Sequence, residues 1–274
     1  MSQKNERRSL PARVYALVAE HWAFAEPEIK LLPELCPRNS LAIDIGAHRG
    51  LYTWFLLQQT NLIVAFEPMP AMQALLRQQY GSRISLQAVA LSDRSGECPL
   101  RVPTSDPGLA TIAASNRLIA GGEEIAKLVI RTATLDSFGF TNVGFVKIDV
   151  EGHEEAVLRG AQMTLARDMP NIIIEIEERH APGATTAVPE FLRTIGYSGY
   201  YIDESQIVDI AIFLYERDQP LGNISGGMKS GRYINNFIFV RGERAQGIRS
   251  RLQRIMDDAA SRSSHDLTKL ADMR

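Results

Sequence analysis

Three short stretches of this 274-residue chain concentrate groups able to do chemistry. The first is Ile43-Asp44-Ile45-Gly46-Ala47-His48-Arg49-Gly50, where a carboxylate is followed by two glycines in a G-x-x-x-G spacing. The second is Phe66-Glu67-Pro68, whose carboxylate stands 21 residues beyond Gly46. At about that distance, an acidic side chain ending a strand can accept both hydroxyls of a ribose. The third is Lys147-Ile148-Asp149-Val150-Glu151-Gly152-His153-Glu154-Glu155, which crowds carboxylates and an imidazole at one corner. The glycine spacing is not the G-x-G-x-x-G of dinucleotide binders, and no P-loop Lys-Ser/Thr follows it. A nicotinamide or a methyl donor could both use such a ribose clamp. Taken singly, Asp44 reads equally as a helix cap and Glu67 as an exposed strand-end charge.

These groups need strands and helices to position them. Short apolar runs alternate with helical stretches from residue 41 onward, the pattern of parallel strands joined by crossover helices. Strands are predicted at Leu41–Ile45, Leu62–Phe66, Ile84–Val89, 97–102, 127–133, Gly144–Asp149, Asn171–Glu175, Gly199–Ile202 and Tyr233–Val240. Helices are predicted near Gly50–Gln59, Pro70–Tyr80, His153–Arg167 and 187–195, with Pro70 suited to a first turn. Residues 1–40 read as a helical leader, with Ala12–Phe24 as its helix, and 41–240 as one continuous domain. Residues 241–274 read as a charged helix and tail, exposed or available for contact, and a homodimer through it is an expectation. Segments 103–126 and 203–232 are rich in Gly and polar groups and are long enough to act as a lid or an acceptor site.

Composition removes several classes. Hydrophobic residues make up 45% and charged residues 23%, which excludes wholesale disorder. With 30 basic and 32 acidic side chains the net charge is −2, so no global basic field exists for nucleic acid. No Asn/Asp-Pro-Pro-Tyr/Phe element to hold a flipped base occurs either. The two cysteines, Cys36 and Cys98, form no metal-type spacing and no disulfide framework, which suits a reducing, cytoplasmic setting. No run approaches the ~18–20 apolar residues of a membrane span.

The order of motifs then becomes specific. Leu41–Thr53 (LAIDIGAHRGLYT), Ala65–Pro68 (AFEP), Ala90–Asp93 (ALSD), Thr134–Asp136 (TLD) and Lys147–Glu154 (KIDVEGHE) together resemble the FkbM-type S-adenosylmethionine-dependent methyltransferases over about residues 26–240. Leu158–Ala161 (LRGA) and the Pro170–Glu175 strand fit as well. The first motif of the family more often carries Asn where this chain has His48. The resemblance implies an α/β, Rossmann-like class I methyltransferase fold: a seven-stranded, mostly parallel sheet with an antiparallel last strand and helices on both faces. It implies S-adenosylmethionine as cofactor and O-methylation of a carbohydrate or glycosylated small molecule.

Methyl transfer from a sulfonium expels a neutral thioether, so the protein must align donor and acceptor and accept a hydroxyl proton. On that basis Asp44 organises the first turn, and Gly46, Ala47 and Gly50 make room for the amino-acid part of the donor. Tyr52 and Thr53 open the next helix near its carboxylate, Glu67 with Pro68 takes the ribose, and Ala90 and its neighbours flank the adenine. Asp149 sits by the methyl group. Asp149, His153, Glu175 and Glu177 are the candidate catalytic residues, with His180 a further base. His153 and Glu154 could equally cap the first turn of their helix, and the two strand glutamates could line a wet edge. A divalent metal held by Asp149, Glu151 and Glu175, with Glu177 nearby, is an alternative of lower rank, because the spacing is not diagnostic. Other readings are methylation of a non-sugar natural product, an NAD-type oxidoreductase and a non-catalytic nucleotide-binding module. The glycine spacing disfavours the oxidoreductase, and the intact acidic corner disfavours the binding module.

Overall fold

In the computed structural model, which describes residues 26–104, 106–118, 124–225, 228–229, 231–241 and 247–261, the apolar runs pair into a twisted sheet. The helix expected at Ala12–Phe24 lies outside the described residues, as do 119–123 of the first long loop and the tail beyond 261.

The strands in chain order are β1 (Leu41–Ile45), β2 (Ile63–Phe66), β3 (Ser85–Gln87), β4 (Ala90–Leu91), β5 (Gly96–Pro103), β6 (Ile125–Ala133) and β7 (Val143–Ile148). They continue with β8 (Asn171–Glu175), β9 (Tyr197–Asp203), β10 (Gln206–Asp209), the two-residue hairpin β11 (Ile224–Ser225) and β12 (Met228–Lys229), and β13 (Asn236–Arg241). The main sheet runs β10-β9-β13-β8-β7-β1-β2-β3. β1, β2, β3, β7 and β8 pair in parallel, and β13 is inserted antiparallel between β8 and β9. The mostly parallel sheet with an antiparallel last strand is as expected, but the main sheet has eight strands instead of seven. The extra one is β10, which folds back on β9 through a tight turn with Glu204 at φ +53°.

The runs at 97–102 and 127–133 are strands, yet neither enters the main sheet. They form the antiparallel ladder β5–β6, flanked by β4, as a separate three-stranded sheet. β6 is largely exposed, a burial that the doubly covered main sheet would not give it. The predicted helix at 153–167 divides into Glu154–Arg159 and Gln162–Asp168. At the break, a side chain on Gly160 would come within 2.0 Å of the Ser92 carbonyl, so the backbones there touch.

Strand alternation sends Ala42, Ile63, Phe145 and Ile173 to one face and Ile43, Val64, Val146, Ile172 and Ile174 to the other. Leu56, Leu76 and Tyr80 cover the first face, while Val157, Leu158, Leu165, Val188 and Leu192 cover the second. The charged segment after residue 241, read as an exposed helix or a contact surface, holds a helix at 247–261. Its Ile248, Leu252 and Met256 are buried in the first core with Tyr200, Ile202 and Ile207, and its charged residues face outward. The chain runs outward from β1 to β3, then returns to β7 on the other side of β1. A crevice opens beyond the carboxyl ends of β1 and β7, where strand order reverses.

Candidate active site

The loop after β1 is shaped by close contact. Gly46 and Gly50 both have φ +82°, a left-handed conformation open to glycine. A Cβ on Gly46 would lie 1.8 Å from the Asp149 carbonyl oxygen, so this glycine lets the end of β1 meet the end of β7. A Cβ on Gly50 would lie 2.6 Å from the Tyr80 ring. The amides of Gly46 and Ala47 both donate to the Phe66 carbonyl, at 3.0 Å each. His48 is left-handed too, at φ +46°. Asn and His are among the side chains enriched in that region, which accounts for His48 standing where the family more often has Asn.

Asp44 is buried and accepts a 2.5 Å hydrogen bond from Thr53 Oγ1. Burial pushes its carboxyl up to about 6, against the pull of Thr53 and Lys147. Glu67, also buried, accepts from the His48 amide through Oε2 (2.8 Å) and from the Met69 amide through Oε1 (2.7 Å). Burial again dominates and pushes it to about 7.

A single cleft gathers Gly46, His48, Glu67, Pro68 and Met69 with Val89, Ala90 and Leu91. Asp149, Val150, Glu151 and His153 close its inner end, and Leu100, Pro107, Gly108, Ala110 and Ile112 roof it. Among the expected donor residues, Gly46, Glu67, Pro68, Ala90 and Asp149 line this cleft. Asp44, Ala47, Gly50, Tyr52 and Thr53 do not line it. Tyr52 packs instead beneath Lys147, whose Nζ is 4.8 Å from the ring centroid.

Lys147, to which the sequence reading gave no role, is 1% exposed. Its Nζ reaches the Asn236 side-chain oxygen at 3.3 Å and Asp149 at 3.7 Å. Burial works against its charge, but Asp149, Glu175, Glu26 and Asp44 outweigh that and raise its pKa. A lysine between Val146 and Ile148 in an apolar strand is the signal that the sequence offers.

The acidic corner divides into separate partnerships. Glu151 has φ +53° and lines the cleft, with Oε2 2.9 Å from His180 Nδ1. Burial raises the Glu151 carboxyl despite His180, and Glu151 overcomes the effect of burial to raise the His180 imidazole. His153 Nε2 lies 2.9 Å from Ser92 Oγ, and burial lowers its pKa against the pull of Asp93. Glu154 accepts from the Gly152 amide at 2.8 Å, and burial pushes it to about 7.

Glu177 is held by Arg179 Nε and Nη2, by the Tyr233 hydroxyl (2.6 Å) and by Asn235, which also binds Glu175. Burial alone would raise the Glu177 pKa, but the Arg179 contact brings it below the usual carboxylate range. A carboxylate so paired is a weaker base than a free one, and Glu177 does not line the cleft. Among the described residues, no three His, Cys, Asp or Glu side chains converge on a metal-binding position. Within the same residues no helix is long and apolar enough to cross a membrane.

Comparison with known proteins follows this geometry. A crystal structure of methyltransferase FkbM from Methylobacillus flagellatus aligns at 15% identity and TM-score 0.47, over 73% of this chain and 43% of that one. This chain therefore spans less than half of that protein. An rRNA methylase from Streptococcus thermophilus aligns at 13% identity and TM-score 0.44, over 78% and 93% of the two chains. A Streptococcus mutans protein in complex with SAH aligns at 10% identity and TM-score 0.43, over 79% and 97%. No curated protein matches the chain. A family model described as the methyltransferase FkbM domain matches residues 44–200, which run from Asp44 through Glu67 and the acidic corner into β9. The α/β architecture is that of the Rossmann-like class I methyltransferases, and the chain belongs to the FkbM methyltransferase domain family.

Proposed function

We propose that this methyltransferase uses S-adenosylmethionine to methylate a hydroxyl of a sugar, in a glycan, a glycolipid or a glycosylated metabolite. The observation that carries the reading is the one continuous cleft from Glu67 to the Asp149–Glu151 corner. It offers a strand-end carboxylate for a ribose, an apolar slot between Val89, Leu91 and Ile112 for a purine, and an acidic inner end. His48 Nε2 is buried in the wall with no hydrogen-bond partner among the described residues, as a polar ligand would require. The donor supplies an activated methyl group, and the protein supplies alignment and a proton acceptor.

Within this reading Glu67 takes the ribose hydroxyls on its remaining lone pairs, and Asp149 faces the reacting carbon. At the inner end of the cleft Glu151 is the acid whose carboxyl burial makes more basic, and His180 behind it holds it in place and shares the incoming proton. His153 is the second candidate base, because burial keeps its imidazole neutral beside Ser92.

The test is incubation of the protein with methyl-labelled donor and a panel of sugars, sugar nucleotides, extracted glycans, small phenolic or polyketide alcohols and an RNA transcript. A one-methylene mass gain confined to the sugar-bearing members, retained in EDTA, is the expected result. Gain on the RNA or on the non-sugar alcohols alone refutes the acceptor class. Loss in EDTA restored by Mg²⁺ refutes metal-free base catalysis. A calorimetric titration with S-adenosylhomocysteine that shows no binding refutes the whole reading.

A further inference from the structure

The strap between β5 and β6 does more than roof the cleft. Ala110 and Ile112 point into it, and Thr111 between them points the other way, at 1% exposure. Thr111 Oγ1 donates to the Glu151 carbonyl at 2.8 Å, and Asn116 Nδ2 donates to the same oxygen at 2.8 Å. The strap is itself anchored: Thr111 and Arg101 exchange backbone hydrogen bonds at 3.0 Å, and Arg101 Nη2 donates to the Asn116 carbonyl at 2.6 Å and to that of Ala113. Two buried side chains, 40 and 35 residues away in sequence, thus converge on the carbonyl of one left-handed, non-glycine residue. That conformation is disfavoured for glutamate and persists only where its surroundings impose it.

We infer that Thr111 and Asn116 are positioning residues: by holding the Glu151 peptide left-handed they keep its carboxylate on His180 and in the cleft. The inference rests on the reading of Glu151 and His180 as the proton-accepting pair. It makes the strap serve donor binding through Ala110 and Ile112 and proton acceptance through Thr111 and Asn116. The charged groups facing the pair are Asp149, Glu177 and Arg179, none of which the two substitutions below touch.

The experiment is proton NMR of histidine-labelled full-length protein with and without S-adenosylhomocysteine as probe. A downfield, exchange-protected Nδ1–H signal is assigned to His180 by its disappearance in His180→Asn. The signal is expected in the wild type and in Thr111→Ser, which keeps the hydroxyl. It is expected to vanish or broaden in Thr111→Val/Asn116→Ala, with S-adenosylhomocysteine affinity changed less than threefold, which reports an intact fold. An unchanged signal in the double variant overturns the inference. Loss of the signal together with loss of S-adenosylhomocysteine binding also overturns it, because the strap would then act on the fold at large. Failure of the underlying reading looks different: the signal responds to the strap as stated, yet His180→Asn and Glu151→Gln still methylate the sugar panel at the wild-type rate.

Discussion

Gly46→Ala tests whether the loop after β1 is fixed by contact between strand ends. Placing any side chain at φ +82° costs about 1–2 kcal/mol from the left-handed backbone alone. The new Cβ would also lie 1.8 Å from the Asp149 carbonyl oxygen, where ordinary contact begins at 3.4 Å. Neither side yields easily, because the Asp149 amide donates to Ile45 at 3.0 Å and the Gly46 amide donates to Phe66 at 3.0 Å. Overpacking of this kind adds about 1–3 kcal/mol, for a total of roughly 2–5 kcal/mol. Gly183→Ala is the matched control: its φ is +87°, and nothing lies within 4 Å of the added carbon. It should lose only the backbone part, about 1–2 kcal/mol. The assay is urea unfolding of both variants, accepted where the slope is unchanged, with thermal melts as a second readout. At about 2–4 °C per kcal/mol, Gly46→Ala should melt roughly 5–15 °C below the wild type. Equal losses in the two variants would refute the argument, because the clash with Asp149 would then contribute nothing.

Three further outcomes follow from the same geometry. Ionised Glu67 is the form that accepts from ribose and its carboxyl titrates near 7, so S-adenosylhomocysteine affinity should strengthen as pH rises from 6 to 8 and level off above. Calorimetry of Glu67→Ala should show at least about a tenfold loss and no such pH dependence, as for a hydrogen bond to a charged group. Glu154 is raised from 4.5 to about 7, so its buried carboxyl favours folding when protonated, and that contribution fades as pH rises from about 4.5 to 7. Glu154→Gln keeps the acceptor for the Gly152 amide and should be more stable than the wild type by about 2–3 kcal/mol at pH 8, with the advantage gone near pH 4 in urea titrations. Arg179→Ala leaves Glu177 charged and buried, and should cost about 3 kcal/mol in unfolding experiments at neutral pH; no loss would mean that Tyr233 and Asn235 suffice.

Much of the fold is written locally. The alternation of Ile172, Ile173 and Ile174 between two cores follows from strand geometry alone, and Pro70 opens its helix as its fixed φ predicts. The placement of Asp44, Glu67 and Asp149 was legible because each lies at or just beyond the carboxyl end of an apolar strand, the end at which an open α/β sheet collects ligands. What the chain could not declare by itself was partnership. Glu151, Glu175 and Glu177 look alike in sequence, yet one lines the cleft with His180 behind it, and the other two share Asn235, 60 and 58 residues away. Gly46 and Gly50 look like room for a ligand, but the sequence does not show that they also lie against the Asp149 carbonyl and the Tyr80 ring, where a side chain would clash. The strands β5 and β6 carry the pattern of sheet members but not of which sheet, because period-two alternation is the same in either. Burial, a neighbour's charge and the approach of two backbones depend on segments far apart in the chain. They decide which carboxylate becomes basic and which is neutralised, and only the folded arrangement sets them.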